Sequence, residues 1–84
     1  MTRTLYSYIV LRKDGSAMSI GQDLFDTIFD AVQAAKDSFV FNSQHYYDID
    51  KVSDVVYNVY AILPYNRGRE HKYTIQILDF YYTD

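Results

Sequence analysis

Asp23-Leu24-Phe25-Asp26-Thr27-Ile28-Phe29-Asp30-Ala31-Val32-Gln33-Ala34-Ala35-Lys36-Asp37-Ser38-Phe39 is the stretch on which the fold turns. Phe25, Ile28, Phe29, Val32, Ala35 and Phe39 recur at spacings of three and four, which sets them on one helical stripe facing a core. The spacing predicts a helix over 24–39. Asp23 or Asp26 accepts backbone N–H groups at its start, and Lys36 suits the negative end of its dipole.

Upstream the period drops to two. Leu5-Tyr6-Ser7-Tyr8-Ile9-Val10-Leu11-Arg12 places Leu5, Ile9 and Leu11 on one side and Tyr6, Tyr8 and Val10 on the other, the pattern of a strand. Lys13-Asp14-Gly15-Ser16 then reads as a hairpin turn, with Ala17-Met18-Ser19-Ile20 as the return strand. Downstream, residues 40–51 read as a loop with a short edge strand, and Val52 to Leu63 as a strand with two apolar sides. Pro64 ends that strand because it has no N–H to give a ladder. Tyr65 to Glu70 is a polar turn, and Lys72 to Tyr82 the last strand.

These segments predict an α+β fold in one domain, residues 1–84: a four-stranded antiparallel sheet with one helix on one face, in the order β-β-α-β-β. One helix covers one side of such a sheet. The chain has ten Tyr and five Phe, and a domain this small buries only about 60% of its unfolded surface. Some rings must therefore meet solvent or a partner. Tyr8 and Tyr60 are the expected members of an uncovered, Tyr-bearing sheet face suited to homodimerisation.

The formal net charge is −3 and Cys is absent. Lack of Cys removes disulfides, thiol catalysis and zinc–thiolate sites, and suits a reducing compartment. No stretch has the apolar length of a signal peptide or a membrane span, so a soluble cytoplasmic protein is expected. The two histidines, His45 and His71, stand in separate loops without a nucleophile setting, and three glycines make no phosphate-cradling loop. An enzyme is not expected, nor a cofactor. His45, Asp48 and Asp50 offer donors within six residues, but their spacing matches neither a calcium loop nor a zinc helix, so no metal site is assigned. Nucleic acid needs a positive surface, and the overall charge is negative; direct binding is not expected.

The acidic residues have more content. Eight of the ten Asp fall between residues 14 and 54. Asp23, Asp26, Asp30 and Asp37 are at helical offsets of three, four and seven, a carboxylate line opposite the Phe stripe. Such a line repels itself, which a helix selected for stability alone would avoid. Beside it, Tyr46, Tyr47 and Asp48 in the long loop are expected to complete a partner-binding surface, the rings as anchors and the acids steering encounter with a basic groove.

Its small size, its excess of Asp and Tyr, and its order of hairpins and helix give the chain a plan that resembles the small acidic proteins of phages and mobile elements, among them anti-CRISPR and anti-restriction inhibitors. That resemblance implies a non-enzymatic protein acting in a host cytoplasm, which blocks a defence or nucleic-acid-processing protein or nucleoprotein complex by occlusion. The alternative is an assembly module that homodimerises through the Tyr-bearing sheet face.

Overall fold

The computed structural model describes residues 2–21, 23–42 and 47–83; of residues 39–42 and 66 it describes the backbone alone. The chain forms β1 (Thr2–Arg12), β2 (Ala17–Ile20), α1 (Ile28–Asn42), β3 (Tyr47–Lys51), β4 (Val56–Ile62), a short 3-10 turn (Pro64–Asn66) and β5 (Arg69–Thr83). The five strands make one sheet in the order β2-β1-β5-β4-β3, with every neighbouring pair antiparallel. The fold is α+β with one helix, as the pattern predicts, but it has five strands rather than four. The extra strand comes from the segment read as a loop and edge strand followed by one long strand. Val52 and Ser53 both donate to the Val56 carbonyl (2.9 and 3.1 Å), which closes a tight hairpin between β3 and β4 without Gly or Pro to mark it.

The first hairpin turns at Gly15, which takes φ +92, a conformation that costs a residue without Cβ nothing. Asp14 keeps an ordinary negative φ, so the two-residue turn expected from Asp-Gly is not formed. Instead the Asp14 carboxylate accepts from the Ser16 N–H (2.9 Å) and hydroxyl (2.7 Å) and fixes the turn.

The helix starts later than its period suggests. Thr27 caps it: its hydroxyl oxygen accepts the Asp30 N–H at 3.1 Å, satisfying one of the donors a helix start leaves free. Phe25 lies outside the helix and exchanges two backbone hydrogen bonds of 2.8 Å with Tyr6, extending the sheet at the β1 edge. The buried stripe is therefore Ala31, Val32 and Ala35 with Ile28 beside it, and Phe29, expected in the core, is 73% exposed. Two fully buried alanines let the helix backbone approach the sheet closely. Opposite them lie Val10 of β1, Ile75 and Ile77 of β5, and Tyr57 and Val59 of β4.

Register shows why these strand residues share the helix side. Val10 pairs with Ile75, and Ile75 with Tyr57, so one row crosses three strands. Tyr8 belongs to this same side, through its pairing with Ile77. It packs on the core, and Gly21 sits against its ring so closely that a Cβ there would stand 2.8 Å from a ring carbon.

The molecule is long, 54 × 23 × 20 Å. The length comes from β1 and β5, which stay paired from Arg12–Tyr73 out to Thr2–Thr83, past the point at which β4 and α1 end. Beyond Ile77 the sheet is a two-stranded ribbon, joined on the β1 side by Phe25 at Tyr6 alone among the described residues.

Candidate interaction surface

The outer flank of α1 is built by the late helix start. With Ile28, Ala31, Val32 and Ala35 turned inward, the 3.6-residue period puts Phe29, Gln33 and Lys36 along one rim, and Asp30 and Asp37 one step further round. The rim borders a groove of about 370 Å³ between α1 and the β3–β4 hairpin, lined by Ile28, Phe29, Val32, Lys36, Tyr57 and Asp54 among others. Lys36 lies over the Tyr57 ring at 5.6 Å, so this cation leans into the groove rather than toward the acids. Gln33 donates to the Asp37 carboxylate at 3.0 Å.

Four carboxylates lie on α1 or just before it. Asp30 and Asp37 are on the helix. Asp23 and Asp26 precede it, so the continuous four-residue line expected on one helix face is not formed. All four are exposed, and among the described residues none has an ion-pair partner. The acids on the sheet differ. Lys51 holds Asp54 at 2.9 Å, Lys72 reaches Glu70 at 3.5 Å, and Arg69 holds both Asp48 (3.3 Å) and Asp50 (2.6 Å). Of the six described acids without an ion pair, four lie on α1 or just before it; the other two are Asp14, held by Ser16, and Asp79, which accepts the Tyr81 hydroxyl.

Asp48 does not join the acids of the flank. It sits on the sheet side opposite the helix, with Asp50, Tyr60 and Arg69, whose guanidinium stacks 4.1 Å over the Tyr60 ring. Arg69 thus occupies the two carboxylates that the sequence offered as metal donors, while His45 and Tyr46 lie outside the described residues. Tyr47 is half-buried on the helix side, its ring 6.3 Å from that of Tyr73, and burial followed by the Tyr73 charge raises its phenol above the usual range. It packs inward and is no exposed anchor. Tyr8 and Tyr60, expected on a shared dimer face, lie on opposite sides of the sheet. The register shift between Val59 and Tyr60 turns Tyr60 beside His71, at 5.4 Å between rings.

No family model, curated protein or solved structure matches the chain. Residue geometry therefore carries the functional reading. The aromatic that the sequence pattern misplaces is Phe29, which the period puts in the core because it fits equally well when the helix begins one turn early. The Thr27-x-x-Asp30 cap was the signal that would have corrected it.

Ion pairing on the sheet gives a pH prediction. The Arg69 hydrogen bond holds Asp50 below the usual carboxylate range, Lys51 does the same for Asp54, and Ser16 for Asp14. A depressed folded value means the contribution is complete above the ordinary carboxylate pKa of about 4 and is lost as pH falls through the lower folded values. The melting temperature is expected to drop as pH is lowered below about 4. In Arg69→Ala the drop is expected to be shallower, and thermal melts across a pH series check both. An equal slope in wild type and variant contradicts the assignment to Arg69.

The described helix is not long and apolar enough to cross a membrane.

Proposed function

We propose that this chain is a non-enzymatic, cytoplasmic protein-binding module that occludes a basic surface of a host defence or nucleic-acid-processing protein with the acidic flank of α1. One observation carries the reading. Phe29, a large ring at 73% exposure, stands on the rim of a groove whose apolar floor of Ile28, Val32 and Tyr57 is bordered by Lys36, Lys51 and Asp54, while Asp30 and Asp37 beside it have no ion-pair partner among the described residues. Burying an exposed aromatic next to a cleft is a common source of affinity, and uncompensated charge steers encounter with a partner of opposite sign. Nucleic acid and membrane surfaces, both negative, are not the partners in this reading.

The double reversal Asp30→Lys/Asp37→Lys and the truncation Phe29→Ala test it together. Each is expected to leave far-UV circular dichroism unchanged and to reduce capture of the partner from host lysate, measured by quantitative mass spectrometry, by at least about tenfold, the weight of a single hot-spot loss. Undiminished capture by both variants rules the reading out.

A further inference from the structure

We propose that two copies of this chain join edge to edge through Asp79–Thr83 of β5, antiparallel about a two-fold axis at Tyr81. This does not rest on the α1 flank, which lies on other residues.

The edge is defined by hydrogen-bond direction. Both polar groups of an antiparallel residue point to the same side of its strand, and successive residues alternate. The Ile77 N–H points away from β1, since it donates to the Val55 carbonyl at 2.8 Å. Asp79, Tyr81 and Thr83 therefore point the same way. The opposite strand agrees: Tyr6, the register partner of Asp79, turns its own N–H and carbonyl outward to Phe25. β4 pairing stops at Val56–Gln76, so among the described residues nothing takes up the outward groups of Asp79, Tyr81 and Thr83.

Other edges of the molecule are blunted in the ways strand edges usually are. β3 carries Asp48, Asp50 and Lys51. β2 is four residues long. The outer side of β1 is closed by Gly21 at Tyr8 and by Phe25 at Tyr6, leaving only the Thr2–Thr4 end, with Arg3 in it. The β5 edge has no Pro, no Lys and no bulge; its one charge, Asp79, accepts the Tyr81 hydroxyl at 3.0 Å, and it is flanked by Phe80, Tyr81 and Tyr82 at 41, 71 and 43% exposure.

A second copy fits this edge because the free positions are their own mirror in sequence. Pairing Asp79 with Thr83, Tyr81 with Tyr81 and Thr83 with Asp79 uses all the outward groups in three pairs of two bonds, about six in all. A shift by one pair in one direction would need the outward N–H of Ile77, already held by the Val55 carbonyl. In the symmetric register each Asp79 faces a Thr rather than the other Asp79, so no like charges oppose. On one side of the ribbon Phe80 meets Tyr82 of the second copy twice over, and on the other Tyr81 meets Tyr81. Aromatic cross-strand pairs of this kind stabilise sheets. The interface is isologous, closing at two copies.

Sedimentation velocity of the 84-residue chain from micromolar to millimolar concentration tests this. The expected mass rises from 9.9 kDa to twice that value. Tyr81→Pro removes an N–H that no ladder bond inside the monomer uses, which an edge strand tolerates, and Tyr81→Lys sets two like charges at the axis. Both are expected to weaken association at least about tenfold, the effect of 1.4 kcal/mol. Amide hydrogen exchange in the wild type is expected to show Tyr81 protected at high concentration and open at low. Three results overturn the proposal: a wild type that stays at 9.9 kDa, association undiminished in both variants, or masses that grow past the dimer, as head-to-tail pairing with the Thr2–Thr4 edge would give. Lysate capture by Tyr81→Lys is expected to equal that of wild type, so failure here and failure of the α1 reading are separate outcomes.

Discussion

Ile75→Ala is expected to leave the protein largely unfolded at room temperature. Ile75 is fully buried in β5, the middle strand of the sheet, with Val10 and Tyr57 as its neighbours in the row under the helix. Removing three carbons there leaves a cavity walled by a β-sheet on two sides, which relaxes poorly. Such truncations cost about 3–5 kcal/mol when the site is unable to collapse. A domain of this size has a total stability of about 4–12 kcal/mol, and a small core puts it toward the low end. Urea denaturation followed by circular dichroism measures the loss. Ile75→Val, which removes one methyl, is expected to cost about 1 kcal/mol and to keep the native transition. An Ile75→Ala transition within about 1 kcal/mol of wild type would place Ile75 outside the core and the register with it.

The second large effect decides the phase of the helix. Ala35→Leu adds three carbons at a fully buried position where α1 lies on the sheet. The buried side chains of Val10 on β1 and Ile75 on β5, strands with a neighbour on either side, leave the helix as the part that must move. The expected cost is about 3 kcal/mol, at the upper end for overpacking. Phe29→Ala removes far more apolar volume yet is expected to change stability by no more than about 0.5 kcal/mol, the usual range for an exposed site. The order is the informative part. A helix phased as the sequence period suggests, with Phe29 inside, reverses it, because truncating a core Phe costs about 3–5 kcal/mol.

That reversal marks what was legible in the chain. A 3.6-residue period over 25–39 gives a helix and its approximate place, and period-two runs give β1, β2, β4 and most of β5. The phase was ambiguous because Phe25 packs against the core from the β1 edge, outside the helix, while Phe29 is exposed. The β3–β4 hairpin was hidden because Val52-Ser53-Asp54-Val55 contains no residue that demands a turn; the turn is held by backbone bonds and by Lys51–Asp54. Faces were hardest. Alternation sorts a strand into two sides but does not say which side of one strand matches which of another. The shift between Val59 and Tyr60 skips Lys72, so the change of parity falls in β5 and not in β4. Tyr8 and Tyr60, both looking like open-face residues, end on opposite sides because Tyr8 pairs with Ile77 on the side that holds Tyr57 and Val59, and Tyr60 alternates away from them. Of the candidate surface, Asp30 and Asp37 were readable from spacing, whereas the groove behind Phe29 needs two distant segments brought together.

The first and last strands lie side by side at the centre of the sheet, β1 against β5 over the full length of β1. During synthesis, β1 waits on the ribosome beside β2 with its inner margin open while α1, β3 and β4 are made, and only then does β5 arrive to seat all of them. Contacts so far apart along the chain form slowly, on the scale of milliseconds to seconds. Until they form, the nascent polypeptide leaves a row of Tyr, Ile and Val uncovered, the kind of transiently exposed apolar surface that makes a chain prone to aggregate.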